Sequence, residues 1–193
     1  MDGGLGHYAR LNHVIIIGGG ASGVLMAAHL LQGTPPHLRV PIIERGAMLG
    51  CGIAYGTNHP DHLLNTRVAQ MSAWPDRPDD FARWLTANGK QVTEQCFVDR
   101  ATYGQYLSSL LDPWRAASGS PRLRCVQGAC TSLRETDSSV VAHLDDGTSV
   151  IADTAILATG HAVPATPAPP CAAHGIFPSP PIPWQPSRSS APG

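Results

Sequence analysis

Three glycines and one acid have the types and spacing for nucleotide chemistry. Gly18-x-Gly20-x-x-Gly23 follows directly on the apolar run Val14-Ile15-Ile16-Ile17, and Glu44 closes a second apolar run, Val40-Pro41-Ile42-Ile43. The glycines have separate uses. Gly18 permits a sharp turn, Gly20 lets the backbone approach a pyrophosphate with no Cβ in the way, and Gly23 lets a helix lie close on the preceding strand. A helix opening at Ala21 and Ser22 points its first amides, and the positive end of its dipole, at the phosphates. Glu44 stands roughly 20 residues after the last glycine, where an acidic side chain takes the adenosine ribose hydroxyls.

Such a site requires a strand, a tight turn, a helix and a second strand. Val14 to Ile17 has no polar alternation, which predicts a parallel strand covered on both faces. Val24 to Leu31 continues as a helix with small Ala27 one turn after Gly23, and Gly33 to Pro36 ends it. A glycine-rich turn alone often serves only the chain's own path. The strand before, the helix after and the acid at the right distance favour a βαβ dinucleotide site. Nothing acidic precedes the glycines as a methyltransferase would need, and Ser22 is followed at once by Gly23 and Val24, which excludes a GxSxG nucleophile elbow.

The chain has 193 residues, which makes one domain the prior. Thirteen Lys plus Arg against 14 Asp plus Glu give no electrostatic footprint for nucleic acid or an anionic membrane. The first dozen residues are polar and Gly-rich, and the apolar run after them is too short for a signal or a membrane span, so a cytoplasmic location is expected. Cys51, Cys96, Cys125, Cys130 and Cys171 are odd in number and lack CxxC spacing. Buried free thiols are therefore expected, with neither a disulfide framework nor a metal site. The nine histidines are scattered, without an HExxH pattern.

Past Glu44, Arg45-Gly46-Ala47-Met48-Leu49-Gly50-Cys51-Gly52-Ile53-Ala54-Tyr55-Gly56 is a glycine-dense loop whose interleaved apolar residues predict a packed segment. Gly18-x-Gly20-x-x-Gly23-x-x-x-Ala27, Glu44-Arg45-Gly46 and Gly50-x-Gly52 together resemble the FAD-binding half of two-dinucleotide-domain flavoproteins. Gly52-Ile53-Ala54-Tyr55-Gly56, His62-Leu63-Leu64-Asn65 and Met71-Ser72-Ala73 narrow the resemblance. They are similar to a bacterial FAD/NAD(P)-binding family distantly related to N-hydroxylating flavin monooxygenases. Where that family usually has Gly-Gly, this chain has Cys51-Gly52. The resemblance implies a Rossmann-like FAD-binding fold and a cofactor site that includes Arg45, Gly52, Asn65 and Met71.

From His59 to Pro78 the sequence reads as a long loop. Asp79 to Thr86 predicts a short helix with acids in its first turn, apolar Phe81, Trp84 and Leu85 on one face, and Gly89 beyond its end. Phe97 to Leu107 leads into another helix running to about Leu111, limited or kinked by Pro113. By resemblance Arg100 and Tyr103 lie near the flavin; on their own terms Arg100 reads equally as a surface cation, and Tyr103 and Tyr106 as packing residues. Leu123 to Val126 and Ala129 to Leu133 are expected strands, and the resemblance places the backbone near Cys130 against the adenine. Val140 to Ile151 predicts a hairpin turning at Asp146-Gly147. It exits into Asp153-Thr154-Ala155-Ile156-Leu157-Ala158-Thr159-Gly160, which matches the second fingerprint of the same flavoproteins, with Thr159 and Gly160 passing the cofactor. This second match favours FAD over NAD as the bound nucleotide.

The expected architecture is an α/β Rossmann-like domain over residues 12–162, a parallel sheet with a β-hairpin insertion, followed by a Pro-rich, disordered tail over 163–193. From His161 onward the chain carries 10 of its 18 prolines. The complete family architecture adds an NADPH-binding Rossmann unit and a closing C-terminal segment, and no second GxGxxG follows Gly23. An incomplete flavoprotein is thus expected. Two classes remain open: an oxidoreductase of monooxygenase type in its complete form, or a non-catalytic nucleotide-binding fragment or interaction protein. No residue reads as a general base, nucleophile or metal ligand.

Overall fold

The computed structural model describes residues 11–115 and 122–160. The expected Pro-rich tail at 163–193 lies outside the described residues. The first strand, β1 (Val14–Ile17), is buried along its whole length and passes through the glycine turn into α1 (Ala21–Gly33). After β2 (Val40–Glu44) come a one-turn helix α2 (Gly52–Tyr55), a 3-10 turn at Val68–Gln70, α3 (Asp80–Ala87), α4 (Arg100–Ser109) and a short α5 (Asp112–Arg115). Two further strands, β3 (Leu123–Gln127) and β7 (Thr154–Leu157), join β1 and β2 in a parallel sheet of order β3-β2-β1-β7. Between them β4 (Cys130–Glu135), β5 (Val140–Leu144) and β6 (Ser149–Ala152) form an antiparallel sheet.

The unbroken apolar character of β1 is explained by the period of two in a strand, which sends successive side chains to opposite faces. Val14 and Ile16 join Ile42 in the larger core, with Val24, Ala27, Ala28 and Leu31 of α1 and Phe81, Leu85, Tyr106 and Leu107 of α3 and α4. Ile15, Ile17 and Ile43 instead meet Ala142, Leu144 and Ala152 of the antiparallel sheet. The hairpin insertion thus covers one face of the parallel sheet and the helices cover the other. Each isoleucine so enclosed contributes about 1.5–3 kcal/mol relative to exposure.

Polar side chains fix the elements at their ends. The Arg122 guanidinium donates to the carbonyls of Leu31 (2.9 Å), Thr34 (3.3 Å), Pro35 (3.1 Å) and Leu38 (3.2 Å), and to Thr34 Oγ1 (3.1 Å). Those of Leu31 and Thr34 are carbonyls that the end of α1 leaves without helical partners. Asp99 caps α4 by accepting from Thr102 N at 2.7 Å. Tyr106 is fully buried; its hydroxyl accepts from Ala73 N (3.0 Å) and donates to Asp80 Oδ2 (2.7 Å). The loop from 59 to 78 is tied to α3 and α4 through that hydroxyl.

Two local expectations differ from the structure. Pro113 does not merely limit α4; it lies in the first turn of α5, where a missing N–H costs no helical bond. Nor are the described thiols buried; Cys171 lies outside the described residues. Cys51, Cys96 and Cys130 are half-buried and Cys125 is exposed, all four free; Cys125 lies near the middle of β3, an edge strand of the parallel sheet. Among the described residues no helix is long and apolar enough to cross a membrane.

Candidate nucleotide site

The glycine turn is packed from three sides. Gly18 has φ +104°, and a Cβ there would stand 2.3 Å from the Ala158 carbonyl oxygen, so this turn and the end of β7 are in backbone contact. A Cβ on Gly23 would come 1.9 Å from the Gly18 carbonyl oxygen. Only glycine allows α1 to start this close to β1. The amide of Gly18 donates to Ile43 O (2.9 Å) and that of Gly19 to Glu44 Oε2 (2.6 Å).

The next amides are placed differently. The first helical bond of α1 runs from Val24 N to Gly20 O, and Gly20, its N-cap, has no side-chain cap. The N–H groups of Ala21, Ser22 and Gly23 therefore have no partner within the helix and carry the positive end of its dipole. Ala21 is half-buried and Ser22 exposed. Gly20 and Gly52 face each other: a Cβ on Gly20 would lie 3.6 Å from Gly52 Cα, and one on Gly52, at φ +49°, 3.3 Å from Gly20 Cα. Two glycines opposed at a helix start leave a bare-backbone cradle of the kind a pyrophosphate fits. Every buried side-chain nitrogen and oxygen among the described residues has a partner.

Ser22 also lines a cleft of about 290 Å3 with Met26 of α1, with Leu157 at the end of β7 and with Thr159 and Gly160 beyond it. This brings the Thr159-Gly160 fingerprint to the start of α1. A larger groove, about 610 Å3, lies between the far end of α1 and α3 to α5, with Trp74, Trp84 and Trp114 in its walls. It contains none of the glycine-turn residues, and the chemistry places the candidate site at the smaller cleft and the cradle.

Glu44 ends β2 with both carboxylate oxygens engaged, Oε2 on Gly19 N and Oε1 on Gly46 N (2.7 Å). Gly128, just after β3, donates its amide to Glu44 O at 3.0 Å. Cys130 follows two residues later at the bulged start of β4, paired with Leu144. The Cys130 backbone and Glu44 are thus on the same end of the sheet. Arg45 is exposed beside them.

The remaining candidates form a second group. Arg100 begins α4 and donates from Nε to Leu63 O (3.2 Å) and from Nη1 to Ala54 O (3.5 Å), joining α2 to the loop that carries exposed Asn65. Met71 packs half-buried against the larger core. Tyr103 stacks edge-on with Tyr55 (4.9 Å) and Phe81 (5.1 Å), and burial, with Tyr55 adding, pushes its hydroxyl up to about 12. Cys51, at the position where Gly-Gly is usual, turns its sulfur toward α4, where a Cβ on Gly104 would stand 3.0 Å from it. Its thiol is raised by burial. Gly52 keeps the face toward Gly20.

Sequence reasoning missed Gly19, which occupies an unspecified position of the motif. A Cβ there would lie 2.3 Å from Leu49 Cδ2 and 2.9 Å from Glu44 Cβ. The one available signal was the third glycine in an unbroken Gly18-Gly19-Gly20 run.

Solved structures with the same fold include a cyclohexanone monooxygenase from Rhodococcus sp. Phi1 bound to NADP+, 21% identical with a TM-score of 0.56, matched over 78% of this chain and 26% of that one. A flavin-containing monooxygenase from Stenotrophomonas maltophilia is 21% identical with a TM-score of 0.52, over 76% and 38%. A tetracycline destructase, Tet(51), is 16% identical with a TM-score of 0.50, over 78% and 39%. The chain thus spans between about a quarter and two-fifths of the length of these structures. No curated protein matches it. The cradle between α1 and Gly52, the acid closing β2 and the β7 exit against Gly18 all fall within residues 15–162, the stretch that matches the FAD-NAD(P)-binding family model, and the chain belongs to that family.

Proposed function

We propose that this chain binds FAD through residues 12–162, with the pyrophosphate on the amides of Ala21 to Gly23 between Gly20 and Gly52, and the adenosine ribose on Glu44. Arg45 and the Cys130 backbone flank the adenosine end, and Thr159 and Gly160 cover the pyrophosphate from the β7 side. Asn65, Met71 and Arg100 belong to the side toward which the flavin extends. Bound flavin supplies two-electron and one-electron redox chemistry; the chain supplies orientation. In its complete form the protein is an oxidoreductase of monooxygenase type that uses NADPH. The sequence carries one GxGxxG, Gly18 to Gly23, which supports assigning the chain by itself to FAD binding without NADPH turnover.

One observation carries the reading. Gly18 and Gly23 are required by the fold itself, because a Cβ at either would press into backbone. Gly20 is not: its φ of −68° and ψ of −169° suit any residue, and a Cβ there meets nothing closer than 3.6 Å. A ligand against the helix start gives this glycine a reason that the fold does not.

The test is a comparison of Gly20→Ala with Gly23→Ala. Gly20→Ala keeps the fold, at a cost of about 1 kcal/mol or less from cap preference, while FAD affinity in a fluorescence titration falls at least about tenfold, or about 1.4 kcal/mol. Gly23→Ala loses stability and binding together. Wild-type FAD affinity in Gly20→Ala, or saturation by NAD(H) where FAD gives no change, would overturn the assignment.

A further inference from the structure

Resting on the FAD reading above, we infer that Gly19 and Leu49 form a seat that aims the Glu44 carboxylate, which makes Leu49 a positioning residue of the ribose site. The carboxylate is held at two points before any ligand is considered: Gly19 N donates to Oε2 at 2.6 Å and Gly46 N to Oε1 at 2.7 Å. Each oxygen keeps a second acceptor direction, which is what a ribose diol uses. Gly19 is itself fixed from the opposite side, its carbonyl accepting from Gly50 N at 2.8 Å.

Space around Gly19 is closed by two side chains, that of Leu49 and that of the acid itself. A Cβ on Gly19 would stand 2.3 Å from Leu49 Cδ2, 2.9 Å from Glu44 Cβ and 3.1 Å from Glu44 Cγ. Leu49 is 8% exposed and belongs to the larger core, so it has little freedom to withdraw. Glu44 is only half-buried and yields first. A methyl group at 19 therefore displaces the carboxylate from its two amides while leaving the pyrophosphate cradle, one residue further on, as it was. From the solvent side, exposed Gly46 presses on the same group: a Cβ there would lie 3.2 Å from Glu44 Oε1.

The experiment is a double-mutant cycle read by FAD titration of the full chain, with Gly19→Ala, Glu44→Ala and their combination, and Leu49→Ala added to Gly19→Ala. A seat acting through Glu44 predicts that Gly19→Ala weakens FAD about tenfold, that the loss vanishes in the Glu44→Ala background, and that Leu49→Ala restores part of it. A merely structural role for Gly19 predicts additive losses and no restoration, and either result overturns the inference. If Gly19→Ala does not fold, Gly46→Ala replaces it, with a few-fold loss expected that again disappears without Glu44. Should the wild-type chain bind no FAD, the functional reading fails separately. The seat is then read by hydrogen exchange: the Gly19 and Gly46 amides lose protection in Glu44→Ala if the carboxylate holds them, and unchanged exchange overturns it.

Discussion

Replacing Arg122 by Met isolates how α1 is held at the end away from the cradle. The guanidinium serves four backbone carbonyls and one hydroxyl, of which the carbonyls of Leu31, Thr34 and Leu38 are reached in partly buried bonds and that of Pro35 in an exposed one. Leaving a buried acceptor unpaired costs about 1–3 kcal/mol; water reaches the exposed carbonyl, and the losses share one donor and do not add. About 2–4 kcal/mol is the expected total, with a few tenths of it from the lost cation at a helix C-terminus. For a chain of this size that lowers the Tm by about 5–15 °C in a thermal melt followed by circular dichroism. Arg122→Lys retains one point charge and no fork, so it falls between wild type and Arg122→Met. The 13 residues of α1 at about 1.5 Å each put the cradle about 20 Å away, so FAD affinity below the melting range stays unchanged. A Tm shift under about 2 °C for Arg122→Met, or a lysine variant as stable as wild type, refutes the fork as the clamp.

Gly33→Ala is expected to stabilise the chain by about 0.5–1 kcal/mol in urea unfolding, because this helical glycine has an ordinary φ and a Cβ there meets nothing within 4 Å. Tyr106→Phe strands Ala73 N and removes the donor to Asp80, so a cost of about 1–3 kcal/mol is expected by the same measurement. Burial raises the Asp99 carboxyl, but hydrogen bonds from Thr102 and the nearby Lys90 outweigh it and hold the group below its ordinary 3.8. A depressed carboxyl contributes stability above pH 3.8 that is lost as pH falls through its folded value. An acid titration of Asp99→Asn should therefore show a smaller loss of stability below pH 3.8 than wild type.

The parts of this molecule that local geometry dictates were readable in the sequence. β1 and β2, the start of α1, and the Asp146-Gly147 turn, where Gly147 has φ +82°, follow from periodicity and from backbone angles that few residues adopt. So did the acid at the end of β2, because the βαβ spacing puts it there. What escaped was long-range and backbone-directed. Arg122 bonds to carbonyls 84 to 91 residues earlier in the chain, and nothing in the side chains of Leu31 or Leu38 announces a guanidinium. Gly19 escaped because the motif leaves its position open, and the contact that requires glycine there comes from Leu49, 30 residues on. The helical restart at Pro113 is not legible in the sequence, because a proline that can limit or kink one helix is equally suited to begin the next.

The glycine pattern combines two demands that the structure separates. At Gly18 and Gly23 an added Cβ would meet backbone at 2.3 and 1.9 Å, so these two would be needed in a chain that folds this way and binds nothing. Matching the pattern at those positions is evidence for the fold alone. Gly20 differs, since its backbone angles and surroundings accept a side chain. A fragment kept only for its fold or as an interaction surface gains nothing from glycine there, and loses a better N-cap such as Ser or Asp. The choice between a nucleotide binder and a non-binding remnant therefore rests on position 20 more than on the motif as a whole.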